Sequence, residues 1–259
     1  MKKTVFFLLV ALTAISFSCK QKTADQPVAQ DDDTYLMNHQ DTMNVINAII
    51  DTSDCQQYSL DYSRYNNKAH YSATLFCDGT GKIRRIEENI IDSNTLMTRN
   101  TFYFTNDRLF ATTHEYQQKE DTSLAFFEEL NFYSPKGKVE KQFHRKTDET
   151  TDPNNNPFLV TTNNKIVNTD QVNNAIQNKG DFELTFQGII KTDNSDYLLL
   201  GKNVSDGYTT ALQIPQITPF IQDIYRHENE YIGRKIKIEF AKQSEGNFTY
   251  QVFVSGEWL

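Results

Sequence analysis

The sequence predicts a mainly β protein: an antiparallel β-meander with one packed helix, followed by a second unit of five strands and one helix. Three observations carry this. Aromatic residues reach 12%, with 13 Tyr and 18 Phe, and such side chains favour strands. Apolar and polar residues alternate in short runs broken by Gly-containing turns. Apolar residues make up 38% of 259 residues, enough for a buried core and too many for wholesale disorder.

The elements follow in chain order. Lys2 and Lys3 precede an eleven-residue apolar run, 5–15, and the chain turns polar at Lys20. A bilayer core of about 30 Å needs roughly 20 apolar residues, so the run reads as a signal peptide, 1–18. Residues 19–34 read as a solvated tether. Its Asp31-Asp32-Asp33 lacks the alternating ligands and closing Glu of a calcium loop.

Residues 35–150 form the first folded unit. Met43, Val45, Ile46, Ile49 and Ile50 have helical spacing behind an Asp41 cap. Strand patterns then meet at three turns: Asp78-Gly79-Thr80-Gly81, the segment 105–107, and Ser134-Pro135-Lys136-Gly137. Phe76, Phe104 and Phe132, spaced 28 apart, mark the same position in each passage. Gly81-Lys82 has the pair that ends a phosphate-binding loop. The first Gly of that motif falls on Phe76, however, and Ile83 stands where a Mg²⁺-binding hydroxyl belongs, so the segment reads as a hairpin turn.

Residues 151–164, rich in Asp, Asn, Thr and Pro, read as a linker. In 165–259, Phe182, Leu184 and Phe186 alternate, Gly188 interrupts, and strands follow at 197–200 and 209–214. Thr218-Pro219 caps a helix carrying Phe220, Ile221, Ile224 and Tyr225. Two more strands hold Ile236, Ile238 and Phe240, then Phe248, Tyr250, Val252 and Val254.

Ser18-Cys19, directly after the apolar run, resembles the lipobox of bacterial lipoproteins. Ser18 fits, while Ser16 and Phe17 depart from the usual Leu and small residue, a relaxed form of the box. The resemblance implies lipid attachment at Cys19, and Lys20 behind it implies the outer membrane, facing the periplasm. Ordinary cleavage before Cys19 with plain secretion is the alternative. With Lys2 and Lys3 removed, 24 basic residues stand against 34 acids, a net charge of −10.

Three strands, a helix and two strands, with a Gly bend in the first, resemble an OB-fold over 182–256. That resemblance implies ligand contact on the second and third strands, between the loops 192–196 and 241–247, with Tyr197 and Tyr208 as the stacking candidates. A β-barrel joined to an OB-fold is also similar in architecture to the copper-stress outer-membrane lipoproteins. Their Cys-x-x-Cys motif is absent from this chain, so their redox or copper role does not carry over.

Cys55 and Cys77 remain after processing, and an even pair outside the cytosol reads as one disulfide, with two separate buried thiols as the alternative. The five His are dispersed without zinc spacing, and no Gly-x-Ser-x-Gly elbow occurs. His114-Glu115 and Glu128-Glu129 fall on strands, where neighbours face opposite sides and make no carboxylate pair by themselves. No catalytic residue, metal or cofactor is assigned. Both folded units are acidic, −4 over 35–150 and −3 over 165–259, which excludes a phosphate-backbone binder. The expected function is a membrane-anchored, non-catalytic envelope lipoprotein binding a periplasmic protein or glycan. Envelope-stress or metal-stress sensing, and a hydrolase with a composite site, are the alternatives.

Overall fold

Three aspartates open the first helix. The computed structural model describes residues 26–27, 30–64, 69–91, 96–120, 123–148, 156–161, 169–202, 204–246 and 248–259. The expected signal peptide, Cys19 and most of the expected tether lie outside these. Helix α1 (Gln30–Asp51) starts well before the expected Asp41 cap and takes in the last residues assigned to the tether. Asp31, Asp32 and Asp33 occupy its first turn, where carboxylates complement the positive end of the helix dipole. Leu36, Met43 and Ile46 are buried against Tyr103, Leu130, Phe132 and Phe143. Val45 and Ile49, expected in the apolar stripe, are 59% and 39% exposed. Asp32 pairs with Lys141, and Arg85 donates to Asn47 Oδ1 at 2.7 Å, fixing the helix along the sheet.

The sheet under α1 is a meander of β4 (Ala69–Cys77), β5 (Ile83–Ile91), β6 (Thr98–Thr105), β7 (Arg108–Glu120), β8 (Ser123–Tyr133) and β9 (Val139–Asp148), each antiparallel to the next. Its turns fall where the sequence places them. Asn106 and Asp107, both with positive φ, make the tight β6–β7 turn, a conformation Asn and Asp tolerate. In the β4–β5 turn, Asp78 Oδ1 accepts the Thr80 and Lys82 amides at 2.8 and 3.1 Å, and Oδ2 pairs with Arg84 at 2.7 Å. The Thr80 hydroxyl, first among these contacts, holds the Asp78 carboxyl well below the usual aspartate range. The expected linker is partly sheet: β10 (Leu159–Thr161) pairs with β9 and with β1 (Gln26–Pro27).

The C-terminal unit closes on itself. β11 (Thr185–Lys191), β12 (Asp196–Gly201) and β13 (Thr209–Gln213) run antiparallel, as do β14 (Ile236–Glu245) and β15 (Phe248–Trp258). β13 meets β15 in parallel at Gln213 and Val252. β14 returns to β11 through the Thr185–Lys235 bridge and the Ile236 N–H to Leu184 carbonyl bond of 3.1 Å. This closure gives the expected OB-like barrel. Helix α3 (Pro219–Arg226), capped by Thr218 Oγ1 at 3.2 Å from Ile221 N, buries Ile221 and Ile224 in the barrel core. The short helix α4 (Glu228–Tyr231) follows it.

The two units share one core. β3 (Tyr62–Arg64) pairs with β4 on one side and with β13 on the other, so the sheet runs on from meander to barrel. Tyr62 and Tyr71 pack against Phe182 at ring distances of 4.9 and 4.8 Å, and Tyr62 donates to Asn178 Oδ1 at 2.7 Å. Phe182 follows α2 (Asp170–Ile176), whose Val172 and Ala175 enter the same core. Cys55, just before β2 (Gln56–Tyr58), lies at disulfide distance from Cys77 at the end of β4, with Cα atoms 5.1 Å apart.

Candidate functional site

The two stacking candidates from the sequence lie on opposite sides of the barrel wall. Side chains alternate along a strand, and Tyr208 shares the inward parity of Thr210 and Leu212. It is 6% exposed, stacks on Phe182 at 4.6 Å, and has the Arg64 guanidinium 4.2 Å over its ring. Tyr208 is therefore a core residue whose ring is already occupied, and burial raises its pKa. Tyr197 is half-buried on the outer side, between Ile190 and Gln213. Of the two flanking loops, the first is a short turn closed by Thr192 Oγ1 donating to the Ser195 carbonyl at 2.6 Å. The second is mostly strand, because β14 continues to Glu245.

A denser polar constellation stands on the meander, on the face away from α1. Residues directly opposite in antiparallel strands share a face, and the register aligns Glu88, Asn100, His114, Glu129 and His144 in one row across β5 to β9. One end of this row is a closed network. Tyr71 donates to Glu88 Oε1 at 2.7 Å, Asn100 Nδ2 donates to Glu88 Oε2 at 2.5 Å, and His114 Nδ1 lies 2.5 Å from Asn100 Oδ1. Glu88 can remain buried because both of its oxygens are used.

The adjoining row changes character along its length. Leu75, Ile86 and Phe102 belong to the shared core, whereas Thr112, Asn131 and Gln142 continue the row as buried polar residues. Asn131 Nδ2 donates to Thr112 Oγ1 at 3.2 Å, and Tyr133 Oη lies 3.4 Å from the same hydroxyl. Asn131 Oδ1 and Gln142 Oε1 have no hydrogen-bond partner among the described residues. On the other flank, Tyr116 and Phe127 stack at 4.8 Å with planes 6° apart, both half-buried.

The face toward α1 carries a different row: Arg99, Glu115, Glu128 and Arg145. Arg145 holds Glu128 at 2.5 Å, and Arg99 lies 3.7 Å from Glu115. Burial, then the Glu128 charge, raises the pKa of Glu115. The strand alternation separates Glu115 from His114 as expected, yet register sets Glu115 opposite Glu128 and His114 opposite Glu129. Only the hairpin turns could have signalled this, since they fix the register of each strand pair. Among the described residues no group of three or more His, Cys, Asp or Glu has metal-holding geometry, and no helix is long and apolar enough to cross a membrane.

Neither a family model, nor a curated protein, nor a solved structure matches this chain.

Proposed function

We propose that this chain is a lipid-anchored binding protein of the bacterial cell envelope, taking a periplasmic protein or glycan without covalent chemistry. Lipid on Cys19 is the anchor, and Lys20 directs the protein to the outer membrane, facing the periplasm. Eleven residue steps separate Cys19 from the start of α1, a reach of at most about 40 Å, so the body works close to the surface that holds it.

The observation that carries the binding role is the meander face away from α1, where the half-buried Tyr116–Phe127 stack lies beside the half-buried carboxylate of Glu129. The groups around them suit contact, orientation and release. The disulfide-distance pair Cys55 and Cys77 fits an oxidising compartment.

The anchor is tested by expressing the full chain and its Cys19→Ala variant in a bacterium fed labelled palmitate. Label and membrane association present in the parent and absent from the variant support the proposal. A variant that is processed normally and still extracts with lipid overturns it.

A further inference from the structure

We infer that the pairing of β1 with β10 sets the β8–β9 turn of the meander against the membrane, so that this end of the sheet is a docking surface for lipid headgroups. The inference rests on the lipid anchor at Cys19 and adds to it the part of the body that the anchor brings down.

The first observation is how soon the chain is fixed. Gln26 lies opposite Val160 and Pro27 opposite Leu159, so β1 is already part of the sheet. Val160 and Leu159 in turn lie opposite Phe143 and His144 of β9. Seven residue steps separate Gln26 from Cys19. They span at most about 25 Å, which is the whole reach of the leash.

The second observation is the direction from which the chain arrives. β1 is antiparallel to β10 and β10 to β9, so β1 runs parallel to β9. β9 leaves the β8–β9 turn at Val139 and ends at Asp148. The chain that enters β1 at Gln26, level with Phe143, therefore comes from the side of that turn. Phe143 lies six residues beyond Gly137 of the turn, about 20 Å of strand. The leash covers that distance and little more. A lipid on Cys19 thus enters a bilayer when the turn lies against it.

The side chains at this end suit the role. Lys136 and Lys138 of the turn are exposed, and so is Arg108 of the neighbouring turn, whose Nη1 donates to the Pro135 carbonyl at 3.5 Å. Their charged heads on long stems can meet headgroup phosphates. Asp107, Glu140 and the α1 residues Asp31 and Asp33 are exposed acids on the same side, and Asp32 holds Lys141. The reach of the anchor therefore selects this end, and the three cations supply its contacts. The barrel joins the sheet at β3, eight strand spacings from β1. That is about 38 Å, beyond the reach of the leash.

The test uses the full chain, acylated in a bacterium and reconstituted on vesicles of phosphatidylcholine and phosphatidylglycerol that carry a headgroup-linked quencher. Lys138→Cys and Lys119→Cys are labelled with a thiol-reactive fluorophore, and the parent chain treated alike is the blank for Cys55 and Cys77. Lys119 is exposed beside the β7–β8 turn, at the opposite end of the meander. The label at position 138 is expected to lose most of its emission on the vesicles, and the label at position 119 to keep most of its own. A Gly-Ser insert after Lys22 that doubles the leash is expected to even the two out. Equal quenching at both positions without the insert, or stronger quenching at position 119, overturns the inference. A contrast that survives the insert overturns it as well. Flotation separates this result from the anchor. Chains that float with the vesicles and are evenly quenched sink the inference alone. Chains that carry no acyl group and do not float overturn the anchor, and the inference with it.

Discussion

Glu228 reaches across from α4 to the bend in the first barrel strand: its Oε1 accepts the Ile189 amide at 3.0 Å and lies 3.5 Å from where a Cβ on Gly188 would stand. The pairing of β11 with β12 skips Gln187 at this point, the mark of a bulge, and Gly188 has φ +141°. The carboxylate takes a donor that the irregular strand cannot use in its ladder. Gly188→Val is therefore expected to cost about 1–3 kcal/mol, because a β-branched residue is forced into backbone space that suits glycine. Urea denaturation of parent and variant measures it; an unchanged midpoint means that the strand accepts a side chain there.

Replacing Cys55 and Cys77 together by Ser is expected to lower stability by about 3 kcal/mol, the chain-entropy value for a closed loop of this length. Dithiothreitol should lower the parent to the level of the variant and leave the variant unchanged. Thiol labelling of the denatured, unreduced chain should modify neither cysteine.

Glu115 gives a pH signature. Its folded pKa is raised above the ordinary value of 4.5 by burial, with Glu128 adding to it. The native state thus keeps this proton where the unfolded chain has lost it, and stability falls as pH rises from 4.5 through the folded value. Glu115→Gln should raise the melting temperature at neutral pH, and the gain should vanish below pH 4.5. An equal gain at both pH values would assign the effect to packing instead of charge.

Tyr71→Ala in the meander should be felt in the barrel. Trp258 is the single tryptophan and packs in the barrel wall against Tyr231, with ring centroids 4.7 Å apart, so its fluorescence reports the C-terminal unit alone. Because Tyr71 packs on Phe182 and Tyr208, its removal is expected to cost about 3–5 kcal/mol and to move the Trp258 transition with the global one. A Trp258 midpoint that stays in place while the far-ultraviolet signal shifts would mean that the two units unfold independently.

Local chemistry in the sequence carries far into this structure. The three turns at Asp78, at Asn106-Asp107 and at 134–137 join the strands that the alternation assigns, and Thr218-Pro219 starts a helix. Gly188 bends the strand it interrupts. What fails is whatever depends on a distant partner. α1 begins early because Tyr35 and Leu36 have Phe132 and Phe143 to pack on, a contact no local pattern announces. Leu159 and Val160 form a strand between β1 and β9 because His144 and Phe143 lie opposite them on one side and Pro27 and Gln26 on the other. Tyr208 resembles a surface aromatic until Arg64 and Phe182 enclose it. The polar row is assembled by register across five strands, and pairing between strands is a property of the whole sheet.

The aromatic seam between the two units sets the order in which the chain can reach its native state. Tyr62 and Phe182 are 120 residues apart, so the hairpins of the meander can close long before the seam does. During synthesis from the N-terminus, Tyr62 and Tyr71 wait uncovered until the segment carrying Phe182 and Tyr208 has emerged. The half-made protein is then a sheet with a sticky aromatic flank, the species most prone to aggregate and the one a holding chaperone would have to shield.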